Sequence, residues 1–121
     1  MEMNNKNYNL EERLIDFACL IIEIAELMPK TLSGNHLSGQ IIRSGTSPAL
    51  NYGEAQGAES RNDFIHKMKI VLKELRETFI CLKIISRKIL VGNDKVEKAL
   101  AENNELISIF VKSIATAKKK D

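Results

Sequence analysis

His36, His66, Cys19 and Cys81 are the side chains best suited to metal, acid-base or nucleophilic chemistry, and their spacing decides what they can do. Neither histidine gathers the ligands of a convincing metal site. The Glu-x-x-His element that builds di-metal centres in helical bundles does not occur. Ser33-Gly34-Asn35 lacks the Lys-Ser/Thr ending of a phosphate-cradling turn. Both cysteines fall inside apolar runs with helical spacing, where a thiol packs as a small apolar group. No nucleophile, base and orienting group can be assembled from these residues, so the chain is expected to be non-enzymatic, with no catalytic residue, metal or cofactor.

What remains is the chemistry of fixed charge. Lys69, Lys73, Arg76, Lys83 and Arg87 advance by three, four or seven residues. At 100° per residue they occupy one arc of about 80°, interrupted only by Ile80. Glu12, Asp16, Glu23 and Glu26 form an arc of opposite sign, with Cys19 at its centre. A third polar stripe, Arg43, Ser47, Asn51 and Glu54, runs beside an apolar one. Arg43 and Glu54 are three turns apart, so each needs a partner on another helix or another subunit, because a buried charge without one is too costly to keep.

Three uses of the ribbons stand open. Both are solvated faces laced with local pairs such as Lys73 and Glu77; or the acidic ribbon of one subunit, with Glu12, Asp16 and Glu23, meets the basic ribbon of the next; or the basic ribbon tracks phosphates. No aromatics interleave with the five cations, so nucleic-acid binding would be weakly selective for sequence. The stripe of Arg43, Ser47, Asn51 and Glu54 is the expected interface.

The elements that must position these stripes are helices. Leu10, Leu14, Phe17, Ile21, Ile24, Ala25 and Met28 predict a helix over 9–28, ended by Pro29. A second begins after Ser33, the expected N-cap, and reaches Ala58 with Leu37, Ile41, Ser44, Pro48, Tyr52 and Ala55 on one stripe. Pro48 predicts a kink near Thr46-Ser47. Ser60 with Asp63 resembles a capping box for a third helix, whose stripe of Phe64, Met68, Val71, Leu75, Phe79, Leu82, Ser86 and Ile89 is long. Val91-Gly92-Asn93 stops it, Asp94 with Glu97 caps a fourth, and Lys118-Lys119-Lys120 follows near its end.

Long helices with short connections pack antiparallel, which predicts an all-α, up-down-up-down four-helix bundle forming a single domain over 1–121. Its expected core is Leu14, Phe17, Ile21, Ile41, Phe64, Met68, Leu75, Phe79, Leu82, Leu106 and Phe110. The composition agrees: of 121 residues 44% are apolar and only 5% aromatic, a Leu/Ile/Val/Ala palette suited to helix-on-helix packing. A net charge of +2 with 28% charged residues excludes a strongly basic nucleic-acid binder. The absence of a membrane-length apolar run predicts a cytoplasmic protein with no membrane partner.

Gln40-Ile41-Ile42-Arg43-Ser44, Ser47, Asn51-Tyr52-Gly53-Glu54-Ala55, Ser60, Asp63-Phe64 and Lys73-Glu74-Leu75-Arg76-Glu77-Thr78 together resemble the four-helix-bundle family first named for proteins encoded within intervening sequences of ribosomal RNA genes. The resemblance runs from about Leu14 to Lys88. It implies a bundle that assembles into rings of five. A relative of the family serves as the nucleic-acid-binding accessory protein of a diversity-generating reverse transcriptase, which implies some affinity for RNA or DNA. It supplies no catalytic residue. An oligomeric nucleic-acid-binding accessory protein and an adaptor whose ribbons serve only self-assembly or a protein partner are the two expected functions.

Overall fold

The computed structural model describes residues 9–92 and 94–119. Four helices account for nearly all of them: α1 (Leu10–Glu26), α2 (Leu32–Gln56), α3 (Arg61–Arg87) and α4 (Lys95–Lys119). Their local signals explain their ends. Asn9 Oδ1 accepts from the Glu12 N–H at the start of α1, and Ser60 Oγ accepts from the Asp63 N–H at 3.0 Å at the start of α3. At α2 the cap is Thr31, not Ser33. Thr31 holds an extended backbone and its Oγ1 accepts from the Gly34 N–H at 3.1 Å, while Ser33 already lies in the first turn. The turn there is tight enough that a Cβ on Gly34 would sit 1.9 Å from the Pro29 carbonyl oxygen, so only glycine fits.

Helix α2 passes through Pro48 without a break. The proline has no N–H to give the Ser44 carbonyl, and it is buried rather than turned to solvent. Helix α3 stops two residues before the apolar stripe does. The Leu90 N–H bonds the Ile85 carbonyl and the Ile89 N–H bonds the Ser86 carbonyl, which is a Schellman ending. Its left-handed position is held by Ile89, at φ 53°, and that side chain is 75% exposed instead of joining the core. At α4 the Asp94 carbonyl accepts the Lys98 N–H, and the Glu97 carboxylate accepts from Ser86 Oγ across the turn. Lys118 and Lys119 complete the last turn, and Lys120 lies outside the described residues.

Sequential helices pack side by side, α1 on α2, α2 on α3 and α3 on α4, and α4 closes the circuit more loosely against α1. The diagonal is spanned by an edge-to-face pair of Tyr52 and Phe110, centroids 5.8 Å apart. Leu14, Phe17, Ile21, Ile41, Met68, Leu75, Leu82, Leu106 and Phe110 are buried in one core, as their spacing predicts. Phe64 is only half-buried at the edge of that core, and Phe79 is half-buried beneath Lys83, whose Nζ lies 5.4 Å from the ring centroid. The residues that α3 does bury include Val71, Thr78, Cys81 and Ile85.

Helices α1 and α2 approach closely because α2 carries small residues there. A Cβ on Gly45 would come within 2.6 Å of the Ile21 side chain. No described helix is long and apolar enough to cross a membrane.

Candidate functional site

The five cations of α3 all lie on its exposed face. None of them makes an ion pair among the described residues, in contrast with Arg13, Arg43, Lys67 and Lys95, which are all paired. The reason is geometric. The carboxylates nearest in sequence, Glu74 and Glu77, lie on the flank of α3 that faces α2, where they are taken by residues of that helix. Gln40 Nε2 donates to Glu77 at 2.6 Å, Arg43 Nη1 donates to Glu74 at 3.0 Å, and Arg43 Nη2 pairs with Glu77. Glu77 is therefore held by α2, not by Lys73, and the ribbon is left without local counter-charges.

The polar stripe of α2 thus resolves into a seam with α3. Arg43 reaches Glu74 and Glu77, and Glu54 accepts from Lys67 Nζ at 2.6 Å, so both charges find their partners on another helix of the same subunit. These carboxylates raise the pKa of Arg43 and of Lys67, the Glu77 hydrogen bond being the largest influence on the first and the Glu54 hydrogen bond on the second. Asn51 Nδ2 donates to Ser47 Oγ at 2.8 Å and to its carbonyl, closing the stripe on itself. Beneath it the buried Ser44 and Thr78 hydroxyls hydrogen-bond at 2.9 Å, and Thr78 Oγ1 lies 2.8 Å from the Glu74 carbonyl. That carbonyl can only accept, so Thr78 gives it a proton and receives one from Ser44.

On α1, Glu12, Asp16, Cys19, Glu23 and Glu26 are exposed. Glu23 accepts from Lys95 of α4 at 3.1 Å. Cys19 is open to solvent, against its expected packing role, while Cys81 is buried and its thiol pKa is raised by that burial and then by Glu77.

Two polar residues that spacing did not single out are buried at the α4 seams. Arg13 forks onto Glu102 with Nε 3.0 Å from Oε2 and Nη2 2.8 Å from Oε1, and it also pairs with Glu105. Hydrogen bonding to Glu102 is the main influence raising the Arg13 pKa. The Asn103 carboxamide faces α3, its nitrogen 3.0 Å from the Leu75 carbonyl and its oxygen 3.0 Å from the Phe79 N–H, an orientation fixed by those partners. Both residues keep helical step with apolar neighbours: Arg13 with Leu10 and Phe17, Asn103 with Ala99, Leu106 and Phe110. A polar residue in phase with an apolar stripe was the available signal.

His36 and His66 are exposed, and no group of three or more His, Cys, Asp or Glu able to hold a metal occurs among the described residues. Side-chain hydrogen bonding and exposed charge are the chemistry on offer, with the α3 ribbon its largest unengaged element.

Comparison with known proteins places this geometry in a family. The model of the 23S rRNA-intervening sequence protein family matches residues 6–112. A crystal structure of a protein of unknown function from the S23 ribosomal protein family of Bacteroides thetaiotaomicron superposes with a TM-score of 0.80 at 30% sequence identity, covering 87% of this chain and 97% of that one. No curated protein matches the sequence.

Proposed function

We propose that this chain, which belongs to the 23S rRNA-intervening sequence protein family, is a non-enzymatic, self-associating four-helix bundle that binds the phosphate backbone of RNA or DNA through α3. The observation that carries this reading is the row of exposed cations, Lys69, Lys73, Arg76, Lys83 and Arg87, which have no carboxylate partner among the described residues, whereas Arg13, Arg43, Lys67 and Lys95 are paired. Each such cation that neutralises a phosphate releases a counterion condensed on the nucleic acid, and with no ion pair to break it does so at little structural cost. Without aromatic side chains to stack on bases, the ribbon reads charge and spacing, not sequence. Assembly into a ring of five, implied by the family resemblance, would repeat the ribbon around the particle and multiply a weak contact.

Replacing Lys73 and Arg76 with Ala tests this. Affinity should fall about equally for unrelated sequences, and the slope of log affinity against log salt should flatten by about one to two. An unchanged slope accompanied by loss of the oligomer would transfer the ribbon to the adaptor reading. That second reading is favoured by one feature, Ile80 and Ile84, which stand 58% and 44% exposed on either side of Lys83. Isolated aliphatics contribute nothing to phosphate binding and suit a protein contact.

A further inference from the structure

Three large aliphatic side chains, Ile80, Ile84 and Ile89, stand exposed close together at the end of α3. Ile89 is held there under strain. Its backbone is left-handed at φ 53°, in the Schellman position that glycine occupies freely, and a β-branched residue in that region is an outlier. Burial of the side chain would be a reason within the subunit, but the side chain is turned to solvent. Strain kept under an exposed apolar group supports contact with something outside the subunit.

The chemistry around these isoleucines is one-signed. Ile80, Lys83, Ile84, Arg87 and Lys88 surround a shallow apolar depression with no carboxylate in its walls. At 100° per residue Ile80 and Ile84 form one stripe, with Lys83 and Arg87 along one edge and Lys88 along the other. Lys83 Nζ rests over the Phe79 ring at 5.4 Å, and none of the three cations makes an ion pair among the described residues. Glu77 is held by Gln40 and Arg43 on α2, and Glu97 accepts from Ser86, so neither offsets the cations.

We infer that the end of α3, from Ile80 to Ile89, docks an acidic amphipathic helix of another protein, its aliphatic stripe on Ile80, Ile84 and Ile89 and its carboxylates on Lys83, Arg87 and Lys88. The inference rests on the second reading above, in which this part of the ribbon serves a protein contact, and it leaves Lys69, Lys73 and Arg76 to phosphate. Charge complementarity selects the occupant, because a helix laid along the stripe brings flanking carboxylates to both cationic edges at once. A nucleic acid would use the cations and leave the isoleucines against its charged backbone. The acidic α1–α4 groove of this chain is no substitute, since Lys95, Arg13 and Lys98 already offset its carboxylates.

The probe is a labelled synthetic peptide of about five helical turns, with Leu at its a and d positions and Glu at e and g, where like charges keep it from pairing with itself. Titrated with the intact chain, it should bind saturably with a micromolar dissociation constant, and an isomer with the leucines scattered around the helix should bind at least about tenfold more weakly. Ile84→Asp, checked for native helicity, should abolish binding. Ile89→Gly should weaken it about tenfold, as expected for one isoleucine lost from a contact, while raising the unfolding temperature. Those opposite signs separate docking from folding. No binding, equal binding of the scattered isomer, or an Ile84→Asp chain that binds like wild type would each overturn the inference. So would Ile84→Asp reducing a wild-type oligomer to the mass of one chain, which would seat a second copy on the stripe. If the peptide fails and Lys83→Ala/Arg87→Ala weakens RNA binding as much as Lys73→Ala/Arg76→Ala does, the protein-contact reading fails with it. Peptide binding without RNA binding would count against the phosphate reading alone and leave the docking site standing.

Discussion

At the scale of single residues, the buried polar groups define the bundle more sharply than its leucines do. The Ser44–Thr78 pair has no exposure, so a change at one hydroxyl leaves the other to be satisfied in a dry interior. Thr78→Val keeps the volume and removes the acceptor of the Ser44 proton, and urea unfolding should register a loss of about 1 to 3 kcal/mol. The double variant Ser44→Ala/Thr78→Val should lose less than the two single changes summed. Tyr52 makes a pH-dependent contribution. Burial raises its phenol pKa above the usual 10. The folded state therefore holds the proton more tightly. Its contribution is complete below about pH 10, where the unfolded chain also keeps its proton, and is lost as pH climbs through the raised folded value. Tyr52→Phe should lack that alkaline component of stability loss, as a chemical-denaturation series run upward from about pH 9, below the usual phenol value, would record. Few of these roles were legible beforehand. Arg43 and Glu54 announced a need for partners but not which ones, and Arg13 and Asn103 were hidden because a residue in phase with an apolar stripe can equally sit at its edge.

At the scale of elements, spacing was a sufficient guide to which helices form and a poorer one to how they end. The α3 stripe continues to Ile89 in sequence, yet the Schellman geometry stops the helix at Arg87 and places Ile89 in a left-handed conformation that a β-branched side chain adopts at a cost of about 1 to 2 kcal/mol. Glycine carries no such cost, and Ile89 buries little that would be lost. Ile89→Gly should raise the unfolding free energy by about 1 kcal/mol despite deleting a large apolar side chain, and a loss of stability would show that the turn depends on that side chain. The capping hydroxyl of α2 was misplaced by two residues for a related reason: Thr31 and Ser33 are equally good caps by type, and only the reversal of the chain over Pro29 and Gly34 selects between them. The small residues of α2 permit two close approaches, Gly45 against Ile21 on one side and Ser44 against Thr78 on the other.

At the scale of the whole molecule, the arrangement sorts charge by place. The α2–α3 seam and the Arg13 cluster consume carboxylates inside the subunit, and the outer face of α3 is left cationic. A net charge of +2 hides this separation, because composition sums over faces that never meet. Phosphate binding by that face is the central claim, and its most direct test is the salt dependence of a labelled single-stranded RNA titrated with the intact wild-type protein. Log affinity should fall linearly with log salt. The slope per RNA-bound α3 should be about −2 if Lys69, Lys73 and Arg76 alone meet phosphates and about −3.5 if all five cations do. A slope near zero, or no binding at about 50 mM salt, a concentration at which phosphate contacts are strong, would contradict the claim.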